Sequence, residues 1–293
     1  ERVLGVRVHV HLHDAVLHRV GDLLGGGAGA AVEHEVERAL LAELLAHGLL
    51  DLLQDLRAQL HVARLVDAVD VAEGQRRDVP AVLAEAERLD ELRRLLTEVR
   101  PGELLLLDAG VEDDSLYTAD ITRTLPVSGT FTDVQRRIYQ AVLDAADAAF
   151  AIVRPGIRFR ELHAEAMRVL VDRLDGWGLL PVSAEVALSD EGQHHRRWMP
   201  HGTSHHLGLD VHDCAQAKRE LYLDGVLEPG MVFTIEPGLY FKEEDLAVPE
   251  EYRGIGVRIE DDILVTEDGA ENLSAALPRT PDEIEAWMAR LQA

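Results

Sequence analysis

The chain of 293 residues is 47% hydrophobic and 28% charged, which supports an ordinary globular core and excludes wholesale disorder. Its 54 acidic side chains outnumber 29 basic ones, giving a net charge of −25 that is the wrong sign for gripping a nucleic-acid backbone and leaves carboxylates available for hard cations. No apolar run approaches the ~20 residues of a membrane span, the N-terminus lacks the basic start and apolar middle of a signal peptide, and the single cysteine, Cys214, excludes a disulfide framework. A cytoplasmic protein acting without nucleic acid or membrane is expected.

Composition divides the chain near residue 100, and two segments are expected, 1–100 and 101–293. Residues 1–100 contain no Phe, Trp, Tyr, Lys, Ile, Met, Ser or Asn. Leu40–Leu53 and Val82–Leu96 are rich in helix formers, and Leu83, Leu89, Leu92 and Leu96 recur at helical spacing. Without aromatic side chains a tightly specified core is harder to build. An atypical helical subdomain, a disordered extension and translation of a non-native reading frame therefore stay open for this segment; mass spectrometry of the natural protein's peptides would eliminate the last. His9, His11 and His13 alternate with apolar residues, so a strand there would put three imidazoles on one face. Gly25-Gly26-Gly27-Ala28-Gly29 lacks the Lys-Ser/Thr of a phosphate loop and reads as a turn.

From Leu104 onward the pattern is that of an α+β fold. Leu104–Leu107 predicts a buried strand running into Asp108-Ala109-Gly110. Thr132 with Gln135 is a capping box opening a helix to Val153, which Arg154-Pro155-Gly156 stops. Phe159–Leu174 predicts a second helix closed by Asp175-Gly176. His194 and His195, followed by Arg196 and Arg197, read as a solvated loop. Met231–Ile235 and Ile263–Thr266 read as strands, each followed by a turn, and Pro281–Leu291 as a closing helix.

Five potential metal ligands fall in strand-like segments of this half: Asp108, Asp120, His205, Glu236 and Glu260. A lone acid among apolar strand residues is costly to bury unless something positive offsets its lost hydration. Four carboxylates meeting in one place would repel one another, and two divalent cations would match their charge. Oxygen-rich coordination with one imidazole favours Mn²⁺, Mg²⁺, Co²⁺ or Fe²⁺ over a thiolate zinc site. The alternative is that the acids lie exposed at strand ends and His205 is a loop histidine.

These residues carry a resemblance. The text LLLLDAG, YTADITRTLPVSG, MPHGTSHHLGLDVHD, LEPGMVFTIEPGLY and YRGIGVRIEDDILVTEDGAENL, within residues 104–291, resembles the catalytic domain of the creatinase/methionine aminopeptidase ("pita-bread") superfamily, and within it the bacterial Xaa-Pro aminopeptidases, or aminopeptidase P. The resemblance implies a pita-bread domain holding two divalent ions, Mn²⁺ foremost. Asp108 would chelate one ion, Asp120 and Glu260 would bridge both, and His205 and Glu236 would complete the ligand set of the second ion. It further implies a hydroxide between the ions as nucleophile, Glu236 as the proton shuttle, and His212 stabilising the tetrahedral intermediate. His201 and Arg258 would serve the substrate side, His201 lining the proline pocket and Arg258, two residues before Glu260 and so on the same strand face, supporting a ligating carboxylate. His206 stands where the family often has an aromatic residue.

The implied activity is hydrolysis of the bond between an N-terminal residue and a following proline, on peptide substrates. A prolidase cutting only Xaa-Pro dipeptides, and an impaired metal-binding or partner-binding relative, remain open as alternatives, as does a homo-oligomer. The family's domain opens with further strands, a helix and another histidine ahead of the first aspartate, and residues 30–100 do not carry that text. Nor do residues 1–100 resemble the separate N-terminal domain that many aminopeptidase P enzymes use for oligomer contacts.

Overall fold

The computed structural model describes residues 4–11, 101–112 and 115–292 of the chain. The expected helices at Leu40–Leu53 and Val82–Leu96, the glycine run and His13 lie outside the described residues. The first sheet has the order β1-β2-β3, with β1 (Leu4–His11) parallel to β2 (Leu104–Glu112) and β2 antiparallel to β3 (Thr118–Pro126). The Leu104–Leu107 run seats β2 in the core, with Leu106 and Leu107 almost wholly buried. In the β2–β3 register Asp108 stands opposite Thr122 and Gly110 opposite Asp120, so Asp108, Asp120 and Thr122 share one face. A Cβ on Gly110 would come within 2.8 Å of the Ala119 carbonyl, so the close approach of the two strands requires glycine there.

Two helices cover these strands. Helix α1 (Asp133–Ala151) opens with the expected capping box: Thr132 Oγ1 accepts from Gln135 N, and Gln135 Oε1 accepts from Thr132 N. Helix α2 (Arg160–Gly176) packs against α1, and Ile138, Tyr139, Val142, Leu162, Leu170 and Leu174 are fully buried between them and the sheets. Each such Leu or Ile contributes roughly 1.5–3 kcal/mol relative to an exposed position. The left-handed residue that ends α2 is Gly178, at φ +71, two residues beyond the expected stop. A short helix α3 (Ala184–Leu188) and a 3-10 turn (His194–Arg197) follow. The solvated loop expected at His194-His195 is corrected here: His195 is buried, with Nδ1 3.0 Å from the Ala187 carbonyl, because the turn folds back onto α3.

The remaining strands form one long antiparallel hairpin broken in the middle. β4 (Val232–Ile235) pairs with β7 (Asp261–Val265), which also pairs with β8 (Ala270–Asn272); β5 (Gly238–Tyr240) pairs with β6 (Gly256–Arg258). The break falls at Glu236-Pro237 on one side and Ile259-Glu260 on the other, and Pro237, with no N–H, cannot continue the ladder as a donor. Glu236 thus sits directly after β4 and Glu260 directly before β7, outside the strands themselves, where the apolar runs beside them lead one to expect them. His205 is likewise extended but outside any strand. Its segment lies along β4, with Glu236 N donating to Thr203 O at 2.7 Å and Thr234 N to His205 O at 2.9 Å. Helix α4 (Pro281–Gln292) closes the chain as expected, burying Ile284 and Trp287 against α1 and β3. The architecture is the α+β arrangement of sheets under helices, antiparallel in every described strand pair but β1–β2.

Candidate metal centre

All five expected ligands converge. Among the described residues, three overlapping groups each place one ligand atom per residue within 4.8 Å of the others: Asp108, Asp120 and Glu260; His205, Glu236 and Glu260; and Asp120, His205 and His212. Each arrives on a different piece of backbone. Asp108 and Asp120 come from the β2–β3 hairpin, Glu236 and Glu260 from the two sides of the broken hairpin, and His205 from the segment along β4. The β3 strand is tied to the broken hairpin at this point, with Glu260 N donating to Thr122 O at 3.1 Å and Asp120 N facing the Asp262 carboxylate at 3.3 Å. Asp108, Asp120, His205 and Glu260 are buried, and His212 is exposed at the edge.

His205 Nε2 faces Asp120 Oδ2 at 3.6 Å and Glu236 Oε1 and Glu260 Oε1 at 3.7 Å each, while Nδ1 turns to the His206 carbonyl at 3.3 Å. These separations exceed a hydrogen bond and suit atoms that share a small cation. Charge makes the same demand. Burial, then Asp120 and Glu260, push the Asp108 carboxyl up to about 6. Burial and Glu260 push Glu236 up to about 8, against the pull of His205 and Arg258. Burial opposes a charged His205 ring, but the facing carboxylates outweigh it and raise the ring to about 10. The cluster is a set of hard oxygen donors with one imidazole, carrying more negative charge than its cationic neighbours cancel. Such a donor set fits oxygen-preferring divalent cations.

Arg258 reaches this centre with its whole guanidinium. Nη2 donates to Asp108 Oδ2 at 2.6 Å and Nη1 to Tyr240 Oη at 3.3 Å, and Nε lies 3.9 Å from both Glu236 Oε2 and Glu260 Oε2. Arg258 therefore contacts three of the clustered carboxylates, although β6 ends at Arg258 and the shared strand face does not extend to Glu260. The hydrogen bonds fix the state of His201. Its Nδ1 lies 2.7 Å from the Gly202 carbonyl, which can only accept, so Nδ1 carries the proton. Nε2, 2.7 Å from Tyr240 Oη, then accepts in the neutral ring, and burial holds the ring below its ordinary value. The chain runs Arg258 to Tyr240 to His201.

His212 meets His205 edge to face, ring centroids 4.4 Å apart, placing an imidazole at the open side of the cluster. His206 points away from the centre. It stacks on Phe159 at 4.4 Å and meets Tyr222 and Phe233 edge-on, so it fills an aromatic position rather than a ligand position. Sequence reasoning missed Tyr240, whose signal was a tyrosine four residues after Glu236 with a glycine between them. It also missed His163 on α2, whose Nδ1 lies 2.8 Å from Thr203 Oγ1 beneath the His201–His205 segment.

Four carboxylates and an imidazole gathered at the junction of antiparallel sheets, under a pair of helices, define an oxygen-rich metal centre in a pita-bread frame. The chain belongs to metallopeptidase family M24, whose model matches residues 5–267. It is 62% identical over 194 residues to Xaa-Pro aminopeptidase 1 of Streptomyces coelicolor, a match covering 66% of this chain and 39% of that protein. With the Xaa-Pro aminopeptidase of Escherichia coli it shares 47% identity over 191 residues, 65% of this chain and 42% of the relative. A histidine-to-alanine variant of Escherichia coli aminopeptidase P superposes with a TM-score of 0.62 at 45% identity, covering 67% of this chain and 43% of that one. Aminopeptidase PepP of Pseudomonas aeruginosa superposes with a TM-score of 0.61 at 36% identity over 71% of this chain and 52% of its own. The chain spans about two fifths of the length of these curated relatives.

Proposed function

We propose that the chain is a dinuclear metal-dependent aminopeptidase that removes the first residue from peptides with proline second, using two divalent ions, Mn²⁺ foremost, in a cytoplasmic setting. The observation that carries the reading is the convergence of Asp108, Asp120, His205, Glu236 and Glu260 in overlapping groups within 4.8 Å. Asp108 would hold one ion, Asp120 and Glu260 both, and His205 and Glu236 the second. When bound, such cations supply Lewis acidity and make water a stronger acid at neutral pH.

The chain's own groups supply the rest. Glu236 takes the proton of the attacking water and returns it to the departing proline nitrogen, the general-base and then general-acid task that a carboxylate beside the reacting atoms can perform. His212 at the open edge donates to the oxygen that becomes negative in the tetrahedral intermediate. His201, neutral and oriented by Tyr240, lines the pocket for the proline ring. Arg258 keeps Asp108 in place.

The test is product analysis by mass spectrometry after incubating the full chain and Mn²⁺ with a peptide beginning Arg-Pro-Pro. Release of arginine alone is expected. Cleavage confined to Xaa-Pro dipeptides would replace the reading with a prolidase, and no cleavage with Mn²⁺ bound would make the chain an impaired relative.

A further inference from the structure

We infer that Thr122 is a positioning residue of the metal centre: its hydroxyl links the Arg258 guanidinium to the Glu260 carboxylate and fixes both. The inference rests on the proposed metal-binding role of the cluster and goes beyond it, because Thr122 is not one of the converging ligands. Thr122 is fully buried on β3, directly opposite Asp108 and two residues from Asp120, on the face that carries both aspartates.

The direction of its hydrogen bonds follows from valence alone. Arg258 Nε, 3.0 Å from Thr122 Oγ1, can only donate, so the hydroxyl oxygen accepts there. The hydroxyl has a single proton, and its other close partner is Glu260 Oε2 at 2.5 Å. That proton therefore points to Oε2, and Oε2 must be an acceptor. The chain Arg258 Nε–H to Thr122 O–H to Glu260 Oε2 has one polarity. It holds the plane of the Glu260 carboxylate and presents Oε1 toward His205. The same guanidinium donates to Asp108, so one hydroxyl is linked to two acids of the same ligand group.

Residue type fits the role. A β-branched side chain in a strand has restricted χ1, so the hydroxyl is placed without further contacts. Serine keeps the hydroxyl with a freer rotor. Valine keeps the shape and loses both the donor and the acceptor, so Arg258 Nε loses its hydrogen-bond acceptor and Glu260 Oε2 its hydroxyl donor.

The test is calorimetric titration of the metal-free full chain with Mn²⁺, comparing the wild type with Thr122→Val and Thr122→Ser, with circular dichroism to confirm folding. Outer-shell partners of metal ligands are typically worth about 10–100-fold in metal affinity, so Thr122→Val should weaken Mn²⁺ binding by about that factor at unchanged stoichiometry. Thr122→Ser should restore affinity to within about threefold, as expected for an outer-shell donor that is retained. Activity of Thr122→Val should return as Mn²⁺ is raised, which a merely structural role would not produce. Equal affinity in wild type and Thr122→Val, or equal losses in the Val and Ser variants, would overturn the inference. If Thr122→Val does not fold, Thr122→Cys takes its place. The thiol is a weak donor, and Mn²⁺ affinity equal to the wild type would overturn the inference. A wild-type chain that binds no Mn²⁺ would instead overturn the metal-centre reading itself, and this inference with it.

Discussion

The ring of Tyr240 lies directly over Gly238: a Cβ at Gly238 would stand 2.5 Å from the Tyr240 hydroxyl oxygen. The missing side chain lets the tyrosine fold back along its own strand. Its hydroxyl thereby reaches His201 Nε2 and Arg258 Nη1 at once. A residue with no side chain, two positions after Glu236, thus decides the hydrogen bonding of His201 beside the candidate metal centre.

Gly238→Ala should therefore push the Tyr240 ring away and break the chain from Arg258 to His201. Misplacement of about 1 Å in such a site can cost ~10²-fold, and kcat/KM on an Xaa-Pro peptide should fall by about 10–100-fold with the fold retained. Tyr240→Phe, which removes only the hydroxyl, should reproduce most of that loss. Full activity in either variant would remove the Tyr240 bridge from the mechanism.

Glu236→Gln keeps the size of the side chain and removes its ability to take a proton. Loss of a positioned acid–base group is worth about 10²–10⁴-fold, so peptide release by mass spectrometry should fall by at least ~10²-fold. His212→Ala should lower kcat by about 10²–10³-fold, the range for one oxyanion donor. His212 is exposed, so its removal should leave the thermal midpoint unchanged. An unchanged kcat would show that the imidazole beside His205 does not touch the intermediate.

How legible this centre was depends on how local each signal is. The pair Asp108 and Asp120 could be read because a strand, a turn and a returning strand occupy consecutive residues, and the capping box of Thr132 and Gln135 because its partners are three residues apart. Glu236 and Glu260 could be named through their motifs, but not their position at a break shared by two distant strands, since register between residues 235 and 261 is a tertiary fact. His195 looked solvated beside two arginines. Its burial comes from packing on α3, which no local pattern encodes. Thr122 and Tyr240 carry ordinary strand residues' signatures, and their roles exist only where Arg258 reaches them.

Away from the centre, Asp245 closes a buried corner. It accepts from Arg197 Nε at 2.7 Å and Nη2 at 2.5 Å, from the indole of Trp198 at 3.2 Å and from Ala247 N at 2.9 Å. Asp245→Ala leaves the buried Trp198 indole without this acceptor, a loss of roughly 1–3 kcal/mol, and chemical denaturation should show it. Arg197 holds the carboxyl down at about 2. A depressed acid stabilises the fold above its unfolded value of 3.8 and loses that contribution as pH falls through about 2. The gap between wild type and variant should thus stay constant from neutral pH to about 5 and narrow below. A gap that stays constant to pH 2 would separate the carboxylate's charge from its stabilising role.

His163 works in the opposite direction. Burial, reinforced by His195 and Arg196, lowers its ring from 6.5 to about 4, so the folded chain keeps it neutral and bonded to Thr203. The unfolded chain binds the proton first, between about 6.5 and 4. Stability is therefore complete above pH 6.5 and declines as pH falls across that window. The shift corresponds to an upper bound of about 3 kcal/mol. His163→Asn retains a hydrogen-bonding group near the Nδ1 position and cannot titrate. On moving from pH 7.5 to 4.5 in urea, the wild type should lose about 2–3 kcal/mol more than this variant. Thr203 sets the backbone of Glu236 through its carbonyl, so the same shift should move the acid limb of activity less in the variant than in the wild type. Parallel losses of stability in the two proteins would mean that His163 takes up its proton at its ordinary value and that its bond to Thr203 survives protonation.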